Sequence, residues 1–547
     1  MLKKQKCYSR EACKLFGRAT IFFCSVVLLF GLLISDGNAA STRHGGTFIY
    51  AIEGEESMLN PALGGGSSLN PIAQNVFNML LTRDFNMNFV PQLAQSYKVS
   101  SDGLTYTFNL VKNATWHDGK PFTSADVVFT LATIYPLSPR AGSWWEPNVN
   151  VVVEAPDQHT VVLKLKKPYA PLLDLLAFPV AGPYMMPKHL YEGTDVKTNP
   201  YNYKPVGTGP FVFKEWVKGS HVEFVRNKNY FGAGKEGKPY IDRLVFRVVP
   251  DPAVRIMALK KGEIDYIYSE AVPLEYVADL RKDSNIVVDN RGQGPLTLKW
   301  LFFNLRNPPL SNKYVRQAIA HAIDRKVILD LALLGEGTIA KSILSSRMTP
   351  YFNPKAPDYP YDPQKANTLL DKAGYPRGAD GTRFKQRLLS MSARGSEGRI
   401  GEIVRDQLKQ VGIDAQIIAT DRASFVNTMF INWDFDMAIQ QGATGPDPMV
   451  GSTRFIHSKR IQKVPFVNAT AFTNAEVDKL LDEEFLQVSM EKRAAMWHRI
   501  QEIVMDELPM LPIYEQPMVN THRAVWVDTI TGPYANFQSL EHAYMKK

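Results

Sequence analysis

Three cysteines, ten histidines and a scatter of acids and arginines bound the chemistry open to this chain. Cys7, Cys13 and Cys24 all fall within the first 24 residues, so no later part of the chain can use a thiolate or a disulfide. No histidine is followed by glutamate and none has a second histidine four residues on, which removes the helical zinc-hydrolase pattern and argues against a protein-built metal site. There is no Gly-x-Ser-x-Gly elbow and no Walker lysine loop. A carboxylate pair for glycoside hydrolysis is defined by distance in space rather than by spacing, so an exported hydrolase stays open as a competing class.

The remaining candidates are binding groups. Gly64-Gly65-Gly66-Ser67 lets backbone approach a ligand closely, with an ordinary flexible loop as the alternative. Trp144-Trp145, between Gly142 and Pro147, offers paired aromatic surface for a cleft wall or pocket, and burial inside a subdomain is the bland reading. Arg394, Arg422 and Arg454 are possible partners for a carboxylate or phosphate, with Arg394 and Arg454 preferred. The stretch 435–448 reads as a strand running into Gln441, Thr444 and Asp447. His117, next to the Asp118-Gly119 turn, reads as structural.

The elements that must position these residues are those of a mixed α/β protein with no internal repeat. Residues 44–52, 97–99, 105–110, 151–153 and 160–165 read as short strands with turn signals between them. Thr123-Ser-Ala-Asp126 is a capping box ahead of an apolar run. From about Trp300 the pattern turns helical, with helices expected over 314–334, 399–411, 474–485 and 491–508, and one from Asp362-Pro363 to Gly374. In Pro205-Val-Gly-Thr-Gly-Pro-Phe-Val-Phe-Lys-Glu-Trp216, Gly207 and Gly209 can take positive φ and Pro210 bars a helix start, which predicts a pinned turn feeding a strand.

The N-terminus carries Lys3, Lys4, Lys6, Arg10, Lys14 and Arg18 ahead of the apolar run 19–34 and the small-residue site Gly37-Asn-Ala39. This is the pattern of a secretory signal peptide, and it predicts export with cleavage near Ala39. The formal net charge of +9 falls once the basic leader is removed. No lysine or arginine run of nucleic-acid type is present.

The block 205–216, followed by Arg226-Asn-Lys-Asn-Tyr-Phe231 and Gly237-Lys-Pro-Tyr-Ile-Asp242, closely resembles the extracytoplasmic solute-binding proteins of dipeptide, oligopeptide and nickel ABC importers. Further matches in the same order are Leu59-Asn-Pro61, 90–94, 101–108, 116–128, 251–265, Phe303-Asn304 and 315–324, so the resemblance covers almost the whole mature length. It implies a type II periplasmic-binding-protein fold. The first lobe would span residues 40–294 and carry a small β-rich subdomain at about 86–200. The second would span 295–511, and 512–547 would return to the first, with hinge crossings near 295 and 512. It implies a periplasmic protein, monomeric and without a cofactor, that hands short peptides to a permease. A sensor reporting to a membrane partner is an alternative role. In peptide-binding relatives the strand end around residue 440 presents a carboxylate to the peptide ammonium. Here residues 438–446 contain no acid and only Asp447 could substitute. A ligand without a free amino terminus, such as an opine-like compound, a glycoside, a metal chelate or haem, is therefore the alternative cargo.

Overall fold

The computed structural model describes residues 43–64, 68–138, 150–180, 182–291, 296–391, 396–445 and 447–546. Alternating apolar residues place Thr47–Ile52 in the middle of a seven-stranded mixed sheet. It pairs in parallel with Arg243–Val248 on one side and Tyr266–Ile267 on the other. Beyond these lie His221–Arg226 and Phe211–Val217 at one edge, Asn520–Arg523 and Ile286–Asp289 at the other. Phe48, Tyr50, Phe246, Tyr266 and Tyr268 fill the core of this first lobe.

A four-stranded antiparallel sheet follows within the first lobe, in the order Ala94–Val99, Thr105–Leu110, Thr160–Leu165, Val151–Asp157. Together with the hairpin Leu81–Arg83 and Phe89–Pro91 it forms a subdomain with its own apolar cluster around Trp116, Phe108 and Leu163. The capping box is formed: the Thr123 N–H donates to Asp126 Oδ2 at 2.9 Å and starts the helix Ser124–Phe129.

The second lobe is built on a six-stranded sheet ordered Thr338–Ile339, Met510–Glu515, Thr297–Phe303, Met437–Ala443, Phe384–Met391, Ile413–Thr420. The chain passes from the first sheet to the second between Asp289 and Thr297, and returns between Glu515 and Asn520. The return therefore lies beyond residue 512, because Met510–Glu515 still pairs with Thr297–Phe303.

Two local readings are corrected. The helix expected over 314–334 is two helices, Lys313–Ala322 and Arg325–Ala332. Ile323 is extended, and Asp324 accepts from the N–H groups of Lys326 and Val327, so a new N-cap interrupts a continuous apolar pattern. Gly207 and Gly209 do not take positive φ. Their backbone instead lies against the carbonyl of Val76: a Cβ on Gly207 would overlap that oxygen and one on Gly209 would sit 2.6 Å from it. His117 completes this turn. Its Nδ1 accepts from Gly207 N–H at 3.2 Å and its Nε2 donates to Gly209 O at 3.0 Å, while burial lowers its pKa to about 4, so the ring is neutral.

Candidate ligand cleft

The two lobes meet on a seam made by the small subdomain and the junction of helices Ala475–Leu486 and Met490–Glu507. Tyr169 and Phe485 pack with ring centroids 4.9 Å apart, and the Ala170 N–H donates to Phe485 O at 3.2 Å. Val450 of the second lobe belongs to the apolar cluster of the subdomain. These contacts describe lobes that are shut against each other.

Behind the seam is a buried ionic cluster. Arg493 bonds Glu484 Oε1 at 2.6 Å, Asp447 Oδ1 at 2.9 Å and Tyr351 Oη at 2.6 Å. Across the seam Arg83 pairs with Asp174 and donates to Met87 O. Burial raises the pKa of Asp174, to about 6, and of Glu484, to about 7. The facing guanidiniums oppose both shifts, and the charge of Asp447 adds to both.

Between this cluster and the crossings lies a cavity of about 240 Å³, lined by Arg83, Met87 and Asp174 from the first lobe and Arg347, Tyr351 and Met490 from the second. A smaller space of about 20 Å³ is bounded by Glu270, Ser345 and Glu515, and shares Leu296 and Arg347 with the larger one. The arrangement can enclose a small polar solute with both lobes in contact.

The residues singled out from sequence are dispersed. Gly64 borders a different, very small cavity inside the first lobe, beside Tyr135 and Tyr184. Gly65, Gly66, Ser67, Trp144, Trp145 and Arg394 lie outside the described residues. Gln441 is half-buried, 3.5 Å from Lys299 Nζ, which forms a buried ion pair with Glu397 at 2.5 Å. Thr444 is buried and bonds Leu296 O through both its N–H and its hydroxyl. Arg454 stacks over Phe455 and donates to Gly451 O, with desolvation lowering its pKa to about 10.

Asp447 is 0 % exposed. Oδ1 accepts from Met449 N–H and Arg493, and Oδ2 sits 2.7 Å from Arg493 and 3.3 Å from Tyr351 Oη. In this closed form its carboxylate is committed to the second lobe. The one metal-like group among the described residues, Glu215, His221 and Glu223, is compromised in the same way, because Arg243 and Lys214 already hold Glu223 and Arg243 is the main cause lowering its pKa to about 2.

Sequence reasoning missed Arg83, Asp174, Glu270, Arg347, Tyr351 and Glu515. They come from five separated stretches of chain, and only the closing of two sheets brings them to one space.

Residues 88–463 match the family described as Bacterial extracellular solute-binding proteins, family 5 Middle. The chain is 29% identical over 502 residues to Heme-binding protein A of Haemophilus influenzae, covering 87% of this chain and 88% of that one. The solved structure of HbpA2 from Haemophilus parasuis superimposes with a TM-score of 0.80 at 25% identity, covering 92% of this chain and 100% of that one. The oligopeptide-binding protein AppA from Bacillus subtilis, solved in complex with a nonapeptide, gives 0.72 at 26% identity over 92% of this chain and 100% of that one. The fold is thus the two-lobe α/β fold of type II periplasmic binding proteins, and the chain belongs to family 5 of the bacterial extracellular solute-binding proteins.

Proposed function

We propose that the protein is the capture component of an ABC importer, closing its lobes around a short peptide or a solute of similar size and presenting the closed form to a membrane permease. The observation that carries this reading is the cavity of about 240 Å³ with walls from both lobes. A ligand bridging both walls has contacts in the closed state that it lacks in the open one, and that difference is what shifts the equilibrium toward closure. No chemical conversion is needed for this role. The basic, then apolar, leader fits an exported protein cleaved near Ala39, and among the described residues no helix is long and apolar enough to cross a membrane. A monomer docking to its permease through lobe surfaces completes the proposal.

A non-peptide solute is the second reading, and the observation favouring it is the engagement of Asp447 by Arg493. The test is native mass spectrometry of the protein purified from an exporting host. A family of masses matching short peptides supports the first reading and a single non-peptide mass the second. A protein that carries no solute, and whose solution scattering profile is unchanged by periplasmic extract, would overturn both.

A further inference from the structure

We propose that closing of the lobes takes up protons, so that solute is held more tightly in mild acid than at neutral pH. The seam shuts three carboxyls, Asp174, Asp447 and Glu484, against two guanidiniums, Arg83 and Arg493. With all five ionised, the buried cluster carries an excess negative charge that only a proton on one carboxyl removes. The inference rests on the capture reading of the same cleft and adds a pH dependence to it.

The first support is the coordination of Glu484. Its side chain, on helix Ala475–Leu486, is fully buried; Oε1 accepts from Arg493, whereas Oε2 makes no hydrogen bond. Arg493 divides its guanidinium among Glu484, Asp447 and the Tyr351 oxygen. Asp447 has two further donors, the Met449 N–H at 2.9 Å and the Tyr351 hydroxyl at 3.3 Å. Of the two carboxylates on one arginine, Glu484 is the less supported. A proton on its bare Oε2 removes a buried charge that is otherwise only half answered. The Trp497 indole also lies beside it.

The second support is that each lobe covers the charges of the other. Tyr169, which packs on Phe485, has its hydroxyl pKa raised by burial and then by the charge of Asp447, with Tyr135 and Glu484 adding and Arg493 opposing. Burial raises Tyr106 of the subdomain to about 12, again against Arg493. Asp174, paired with Arg83, feels Asp447 and Arg493 from the second lobe. Tyr97 and Tyr534 also face Asp174, and Tyr351 and Arg347 line the cavity beside it, Arg347 having a partner of its own. When the lobes part, water returns to both halves and their carboxyls go back toward ordinary values. In the shut form burial holds Glu484 at about 7 and Asp174 at about 6. Protonation therefore favours closure in full below the ordinary carboxyl range, and the advantage is lost as pH rises through about 6 and then about 7.

The test uses the chain from residue 40, which has no native cysteine, with Lys98→Cys on the subdomain and Lys409→Cys on the second lobe carrying a dye pair. Both positions are exposed. After bound solute is removed by partial unfolding and refolding, closure is read by energy transfer as periplasmic extract is titrated in at pH 5, 6, 7 and 8. The extract needed for half-closure should rise about tenfold from pH 5 to 7 and then level off, tenfold being the effect of one pKa unit between open and shut forms. Calorimetry of the parent at pH 6, in two buffers of different ionisation enthalpy, should show net proton uptake on closure. Glu484→Gln should reduce the pH dependence, and Glu484→Gln with Asp174→Asn should abolish it. Equal half-closure at pH 5 and 7, proton release on closure, or a pH dependence unchanged in the double variant, as a titrating solute would give, overturns the inference and leaves capture standing. Energy transfer that no amount of extract changes at any pH overturns capture, and this inference with it.

Discussion

The seam and the cavity lie side by side between the same two lobes and treat charge in opposite ways. At the seam, Asp447 and Glu484 converge on Arg493, with Tyr351 completing the cluster, and all four are buried. In the adjoining space, which Arg347 also lines, Glu515 accepts from Ser345 Oγ and Ser346 N–H and forms no ion pair among the described residues. Ionic groups that satisfy each other define a packed interface, whereas a carboxylate fixed by neutral donors at the wall of a space keeps acceptor capacity that a ligand can use.

The strongest challenge to this contrast is Arg493→Met. Removing the shared guanidinium leaves the Asp447 carboxylate buried without its cation and Glu484 without its hydrogen-bond donor, which is expected to destabilise the protein by about 3–5 kcal/mol in urea unfolding. A loss under about 1 kcal/mol would mean that the seam cluster is hydrated and that its distinction from the cavity is false. Asp447→Asn follows with about 2 kcal/mol, since Arg493 keeps Glu484. If Asp447→Asn left stability untouched and removed solute binding, Asp447 would belong to the ligand after all. At the cavity, Glu515→Gln should leave the empty protein within about 0.5 kcal/mol of the parent, because the amide oxygen can still accept from Ser346 N–H while the amide NH2 donates to Ser345 Oγ. At the rim, Phe485→Ala removes the ring packed on Tyr169. It should weaken solute affinity by roughly fivefold, through a closed state less favoured by about 1 kcal/mol, as read by calorimetry.

The same contrast explains what could be read from residues alone. Local signals carried through where a few neighbouring residues fix the backbone: the Thr123 capping box and the helix Pro363–Lys372 opened by Asp362. They failed where a distant partner decides. Gly207 matters because Val76, more than a hundred residues earlier, leaves no room for a Cβ, and the return crossing comes late because Met510–Glu515 finds Thr297–Phe303. Asp447 looked available because nothing near it in sequence is basic, while its partner Arg493 sits on a helix that starts some forty residues later. Glu515, in turn, follows an apolar strand and gives no signal of its own, since Ser345 and Ser346 come from the far side of the second lobe's sequence.

The smallest effect, and the sharpest on the seam, is a pH slope. Glu484 keeps its proton in the folded state up to about 7, so its contribution to stability is complete below an unfolded glutamate's 4.5 and disappears as pH rises through 7. Asp174 acts in the same direction, and its contribution disappears as pH rises through about 6. His117 acts in the opposite direction: its neutral ring contributes fully above 6.5, and that contribution disappears as pH falls through about 4. In the parent the two carboxyls outweigh His117 between pH 4.5 and 6, Glu484 and His117 offset each other up to 6.5, and Glu484 alone acts from there to about 7, so melting temperature should decline between pH 4.5 and 7 and level off above. In Glu484→Gln the seam no longer has this proton to lose, so the decline between pH 4.5 and 7 should disappear, leaving a profile that is flat from pH 4 to 6 and rises slightly to 6.5. Identical profiles for parent and variant would place Glu484 in contact with water, and the seam would then be no drier than the cavity beside it.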